Sequence, residues 1–309
     1  MKTKPRYEGV WPALLTPLKE DLSIDIDALV AHSKSLLIAG CAGITPFGTT
    51  GEGPSFNVAE RIAAIDGLIV GGVPAERILV STSCAALPDV VALTRHAVQA
   101  GTYGCLMLPP FFLKGMPDEG IINAYRWVID QVNDPRLQIV LYHIPQIAGL
   151  GLSKHVVYTL LTQYPETIIG IKDSSGNRTG SLAFANAFMP PLQVWVGNEP
   201  DLQTMAAIGS KGAVSGVGNV MPHLLQRLTG VVKPKSPVLT PERDAGRVQQ
   251  FIDILNCYVM TSAFKGVMVT LTGNEGWRRV RPPLVALTDE EFFRLKQQLE
   301  VFELDQKID

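Results

Sequence analysis

Eight short apolar runs recur along the chain with helix-patterned segments between them, and this alternation constrains the fold more than any other feature. The runs cover residues 10–15, 43–47, 78–82, 105–108, 138–144, 168–172, 194–197 and 213–217. Their starts lie mostly about 25–35 residues apart, the size of a βαβ unit. Each run is nearly continuous rather than alternating, the pattern of parallel strands covered on both faces. Between them, Ile26, Leu29, Val30, Ser33, Leu36 and Leu37 share one face of a helix over 26–38. Asn57, with Glu60 three residues later, has the capping-box pattern at the start of a second helix over 58–70. Eight strands, each followed by a helix, predict an α/β chain folded as a (β/α)8 TIM barrel over residues 1–221. Residues 222–309 exceed what a barrel needs and read as a C-terminal helical extension. Its expected helices span 222–232, 241–261 and 288–304, with a proline-rich joint at 232–241.

Composition narrows the function classes. With 46% apolar and 18% charged residues, the chain can fill a sizeable core and is not patterned for disorder. A net charge of −2 with no basic run argues against a nucleic-acid partner. No stretch approaches the roughly 18 apolar residues of a membrane span. The first eight residues lack the apolar core of a signal peptide, so a cytoplasmic setting is expected. Cys41, Cys84, Cys105 and Cys257 are far apart and form no CxxC pair, so neither a metal site nor a disulfide framework is expected.

A barrel carries its active site at the C-terminal ends of its strands. Polar residues where an apolar run stops are therefore the candidates, and three places qualify. The first is Gly170-Ile171-Lys172-Asp173-Ser174-Ser175-Gly176. Strand alternation puts Gly170, Lys172 and Ser174 on one face and Asp173 on the other. Gly170 is expected to leave room beneath the lysine. Burial disfavours the charged form of a lysine, and the free amine attacks carbonyls. A lysine merely paired with a neighbouring carboxylate is the competing reading, weakened by the parity of Asp173. The second is Tyr142-His143-Ile144-Pro145 at the end of the preceding strand. Adjacent strands are about 4.8 Å apart, so Tyr142 can approach Lys172 and relay protons. An aromatic barrel filler is its competing reading, and His143, of opposite parity, reads as structural. The third is Phe47-Gly48-Thr49-Thr50-Gly51-Glu52-Gly53. Its glycines free backbone amides, and its two hydroxyls suit a small carboxylate. The Gly-Lys-Ser/Thr of a phosphate loop is absent.

Together, about 95 and 30 residues apart, these motifs resemble the dihydrodipicolinate synthase and N-acetylneuraminate lyase superfamily of class I Schiff-base lyases. The likeness runs in order and spacing from about Gly9 to Val220. It implies that Lys172 forms an imine with pyruvate or a related 2-oxo acid, and that Tyr142 donates and accepts protons. It implies that Thr49 relays protons to Tyr142, while Thr50, Gly48 and nearby amides hold the carboxylate and Val214 meets the bound substrate through its backbone. A protonated imine is its own electron sink, so neither a metal nor an organic cofactor is implied. The resemblance also implies a homotetramer, a dimer of dimers.

Two departures bear on the aldehyde partner. In the synthases a second tyrosine, from a neighbouring subunit, completes the proton relay; the matching position here is Phe112. An arginine after the Tyr-x-x-Pro motif holds the carboxylate of aspartate semialdehyde; Ile147 occupies its place. Losing a charged hydrogen bond costs about 1.5–3 kcal/mol. Phe112, Ile147 and Phe47 are therefore expected to line an apolar acceptor pocket, with core packing the rival reading for the phenylalanines. Glu199 resembles an acidic position that sugar-acid lyases use for substrate hydroxyls; a solvated carboxylate at a helix start is the rival reading. Val58, Arg61, Ala85 and Phe111 stand where the lysine-feedback ligands of some synthases are expected, and they differ from those ligands. Aldol chemistry with pyruvate leads. Dehydration of a sugar-derived 2-oxo acid and authentic 4-hydroxy-tetrahydrodipicolinate synthesis follow. A non-catalytic 2-oxo-acid sensor is the reading from another class.

Overall fold

The strands form where the apolar runs lie, and they wrap into a barrel. In the computed structural model, which describes residues 8–233, 240–300, 302 and 304, seven parallel strands form one sheet. They are β1 (Gly9–Pro12), β2 (Leu79–Ser81), β3 (Gly104–Met107), β4 (Ile139–His143), β5 (Ile168–Asp173), β6 (Gln193–Val196) and β7 (Gly212–Ser215). Their order is β1-β7-β6-β5-β4-β3-β2. The gap between β1 and β2 is filled by the second apolar run. Its pairing is reduced to single parallel bridges, Ala13 with Thr45 and Ile44 with Ile78. Three local features shorten this strand. A Cβ on Gly43 would strike the Trp11 ring at 2.1 Å, Pro46 has no N–H for the ladder, and Phe47 turns to a φ of 61°. The barrel is closed there by backbone hydrogen bonds of 2.8–3.1 Å, from Leu14 N–H to Thr45 O round to Ser81 N–H to Pro46 O.

Strand parity separates two cores. Trp11, Leu79, Leu106, Val140, Tyr142, Trp195 and Val214 point inward and pack together. Val10, Val80, Cys105, Met107, Leu141, Ile171, Val194 and Ala213 point outward against the helices. Gly170 makes room for Trp195 rather than for Lys172: its Cβ would meet the indole at 3.3 Å, and one on Gly212 would meet it at 2.0 Å. Trp195, fully buried, thus plugs the barrel below the lysine.

Eight helices surround or follow the strands up to β7: α1 (Ile26–Ile38), α2 (Val58–Val70), α3 (Leu87–Gln99), α4 (Asp118–Val132), α5 (Pro145–Ala148), α6 (Lys154–Gln163), α7 (Arg178–Phe188) and α8 (Leu202–Ala207). The first two match the periodicity, and Asn57 and Glu60 form the expected capping box. After β7 come α9 (Pro222–Leu228), α10 (Pro241–Leu255), α11 (Met260–Thr272) and α12 (Asp289–Glu300). The single helix expected over 241–261 is instead two, bent by 111° after Leu255. Asn256 caps α10, and its N–H and those of Cys257 and Tyr258 turn back onto Ile252, Ile254 and Leu255. That bend brings Ile252, Asn256, Met260 and Phe264 over the barrel mouth. Most of the proline-rich joint lies outside the described residues. No single helix among the described residues is long and apolar enough to cross a membrane.

Candidate active site

Lys172 is the penultimate residue of β5, 4% exposed, and faces the barrel mouth. Register sets it directly between Tyr142 on β4 and Trp195 on β6. Its Nζ stands 4.2 Å from the centroid of the Tyr142 ring. Gly197, at the end of β6, gives the lysine its space: a Cβ there would meet Lys172 Cε at 2.8 Å and Ser174 Oγ at 1.9 Å. Asp173 faces outward. It accepts the Ser181 hydroxyl at 2.8 Å and the Ser175 N–H at 2.9 Å, so it is no partner of Lys172.

The loop after the second run brings two hydroxyls to the same rim. Thr49 Oγ1 and Tyr142 Oη share a hydrogen bond of 3.3 Å. Thr50 lines the cavity beside Gly216. Backbone crowding shapes this loop. A Cβ on Gly53 would meet Phe47 O at 2.0 Å, and one on Gly51 would meet Leu14 O at 2.4 Å. Gly48 does not line the cavity; its carbonyl accepts the Gly53 N–H at 3.1 Å and closes the loop behind the threonines.

The resulting cavity holds about 340 Å³. Lys172, Tyr142, Thr49, Thr50, Val214 and Glu199 all border it. Its other polar lining comes from Gln146, Ser174, Asn198 and Asn256. Glu199 is held in place by the Ser215 hydroxyl, which donates to its Oε1 at 2.5 Å. Gln146 Nε2 donates to Ser174 O at 2.7 Å, tying the α5 turn to the end of β5. Among the described lining residues Lys172 is the single cation.

The apolar acceptor pocket expected from Phe47, Phe112 and Ile147 is not the pocket found. Phe47 is 2% exposed in the outer core, its ring edge-on to Phe56 at 5.8 Å and 5.6 Å beneath the Arg61 guanidinium. The positive φ of Phe47 turns its side chain away from the barrel axis. Phe112 and Ile147 are 73% and 57% exposed in the protomer and stand outside the lining. The α5 turn directs Ala148 inward and Ile147 outward. The cavity found is instead lined by several polar groups, with apolar walls from Ile144, Val217, Ile252, Met260 and Phe264. The places of Gly197, Gln146 and Asn198 in the site, and of the C-terminal helices with Asn256, were not anticipated. Only the glycine closing the seventh apolar run was a readable sign of a tight approach.

His143 packs edge-on to Phe184 at 5.3 Å and its Nδ1 accepts the Leu152 N–H at 2.9 Å. Burial holds this imidazole below its ordinary range, with the Asp173 carboxylate opposing. Val58, Arg61, Ala85 and Phe111 border a second cavity of about 620 Å³ at the N-terminal end of α2. Arg61 there is spent on the carbonyls of Ser81 and Ser83 and on Cys84 Sγ.

Known proteins share this fold. An uncharacterized DapA-like lyase of Chloroflexus aurantiacus is 29% identical over 94% of this chain and 96% of its own. The crystal structure of dihydrodipicolinate synthase from Agrobacterium tumefaciens superposes with a TM-score of 0.86 at 30% identity, covering 94% of this chain and 98% of that one. A prophage protein of the dihydrodipicolinic acid synthase family from E. coli K12, solved in complex with pyruvate, has the same fold at 24% identity, TM-score 0.86, covering 96% of this chain and 98% of that one. The model of the dihydrodipicolinate synthetase family matches residues 6–301. A buried lysine over a tyrosine at the mouth of a parallel barrel is thus set in a chain that belongs to the dihydrodipicolinate synthetase family, a family of class I Schiff-base lyases.

Proposed function

We propose that the chain makes or breaks a carbon–carbon bond through an imine between Lys172 and pyruvate or a closely related 2-oxo acid. The observation that carries this is the placement of Lys172 Nζ 4.2 Å over the Tyr142 ring, with Tyr142 hydrogen-bonded to Thr49. The amine adds to the 2-oxo carbon, and the carbinolamine loses water to give the protonated imine. Tyr142 exchanges the protons of this step through Thr49. Loss of a methyl proton then gives an enamine, which attacks an aldehyde carbonyl; the same steps reversed cleave the adduct. Water hydrolyses the product imine and returns the free lysine. Thr50 and the loop amides hold the carboxylate, Val214 bounds the methyl group, and the reading needs no cofactor.

The acceptor is a neutral, hydroxyl-bearing aldehyde. Glu199, Asn198, Gln146, Ser174 and Asn256 offer acceptors and donors for hydroxyls, and among the described lining residues no second cation waits for a second carboxylate. That argues against aspartate semialdehyde as the partner. The homotetramer belongs to the same reading, supported by the exposed Phe112 and Leu113 beside the barrel mouth. A reducing, cytoplasmic setting is supported by four free thiols.

Borohydride reduction in the presence of pyruvate tests the proposal. One reduced pyruvyl group on Lys172, located by peptide mass, is the expected product, and Lys172→Ala should show none. Absence of an adduct at saturating pyruvate would sink the imine. Efficient condensation with aspartate semialdehyde would overturn the acceptor assignment alone.

A further inference from the structure

The buried pair Glu52–Lys265 lies outside the cavity, yet Glu52 follows Thr50 by two residues, and the chemistry above makes no use of it. Glu52 adopts left-handed backbone, φ 58°, within the threonine loop. Its side chain and that of Lys265 on α11 are both fully buried, with Lys265 Nζ against Glu52 Oε1. Nζ also donates to Arg279 O at 2.6 Å, and Glu52 Oε2 accepts the Arg281 N–H at 3.3 Å. Burial pulls the Lys265 ammonium down from its ordinary range, and the Glu52 carboxylate opposes that pull. Desolvating two charges typically offsets their attraction, so such a pair adds little stability over apolar residues of equal volume. It does fix geometry, because a hydrogen-bonded charge pair in a dry site tolerates few arrangements.

Two more contacts connect that geometry to the cavity. Phe264, next to Lys265 on α11, lines the cavity wall. A Cβ on Gly216 would meet Phe264 at 3.1 Å and Thr50 Oγ1 at 3.2 Å, so α11 and the threonine loop converge on one spot. The loop is tied from the barrel side as well: the Thr16 hydroxyl donates to Gly51 O at 2.7 Å. We propose that Glu52–Lys265 is a positioning pair that sets Thr49 and Thr50 against Tyr142 and the imine, so that α11 governs proton transfer through the loop. The proposal rests on the Schiff-base reading above.

The test compares Glu52→Gln, Lys265→Met and the double variant by three readouts. These are the urea midpoint, borohydride trapping with pyruvate, and exchange of pyruvate methyl protons with deuterated solvent, followed by NMR. Each single variant leaves a buried charge alone and is expected to lower the midpoint. The double variant should regain it. Exchange should stay depressed in all three by roughly tenfold to a hundredfold, since a displacement of about 1 Å costs that much in catalysis, while trapping persists. Exchange that recovers with the midpoint in the double variant overturns the proposal, as does wild-type exchange in the single variants. If the double variant yields no folded protein, Glu52→Asp decides. It keeps the charge but shortens the reach, so slowed exchange at near-wild-type midpoint supports the pair and unchanged exchange overturns it. A wild-type protein that is never trapped refutes the imine reading instead, a result distinct from either outcome for the pair.

Discussion

Lys172 and Tyr142 sit in direct register on adjacent strands, with the lysine Nζ 4.2 Å from the centre of the tyrosine ring. The ring supports the amine, and the phenol hydroxyl is left free to meet Thr49 at 3.3 Å. In the proposed chemistry one residue therefore does two things: it packs under the amine and supplies the proton.

Tyr142→Phe separates those roles. The ring stays beneath Lys172, so borohydride trapping with pyruvate should proceed. Methyl-proton exchange should fall by about 10²–10⁴, the usual contribution of a positioned acid–base group. Exchange at the wild-type rate would remove Tyr142 from the relay.

Glu199 is expected to act on the second substrate alone. Glu199→Gln should leave pyruvate trapping intact and lower turnover of hydroxylated adducts by roughly tenfold to a hundredfold, the loss of one charged hydrogen bond. Ser215→Ala frees the carboxylate from its 2.5 Å donor and should weaken the same step. Steady-state kinetics across a panel of aldol adducts checks both.

His32 makes stability depend on pH. Asn219 Nδ2 donates to Ala13 O and Gly216 O, so its Oδ1 is the acceptor for Leu15 N–H and for His32 Nε2 at 3.0 Å. His32 is buried and neutral, its Nδ1 without a partner among the described residues, and burial pulls its pKa down to about 4. The unfolded chain protonates this imidazole near 6.5 and the folded one only near 4. Between those values the unfolded state binds more protons, so stability is full above about 6.5 and declines as pH falls towards 4. The decline attributable to His32 is about 3 kcal/mol. Urea unfolding at stepped pH should show it, and His32→Gln should flatten the curve over that window.

The glycines of the threonine loop divide by space. Gly53→Ala drives a Cβ to 2.0 Å from Phe47 O and is expected to unfold or misplace the loop. Gly48→Ala meets nothing within 4 Å and should keep the wild-type melting temperature. Thermal melts of the two variants provide the contrast; equal melts would mean that the loop is not crowded.

Phe112 and Leu113, 73% and 62% exposed, are expected to be covered by another copy of the chain. Phe112→Asp should shift the protein to smaller species in analytical ultracentrifugation. Sedimentation as a monomer in the wild type would refute the tetramer.

The barrel was readable because burial on both faces leaves a continuous apolar imprint, and seven of the eight runs became strands of the sheet. The second run, 43–47, did not, because Gly43, Pro46 and Phe47 each interrupt the ladder in ways that only the neighbouring Trp11 and the turn reveal. Strand parity gave Lys172 its direction and removed Asp173 as its partner, since alternation is a property of the backbone alone.

Period and parity along single strands were therefore determined by the sequence itself, and with them the barrel, the inward lysine and the tyrosine beside it. Everything that depends on distant segments meeting was decided by the tertiary structure. The bend after Leu255 brings Asn256, Met260 and Phe264 over the mouth. The turn at Phe47 removes that ring from the pocket. Glu52 finds Lys265 some two hundred positions away in the chain. The physical reason is the same in each case: local periodicity records which face of an element is buried, but not which remote side chain buries it.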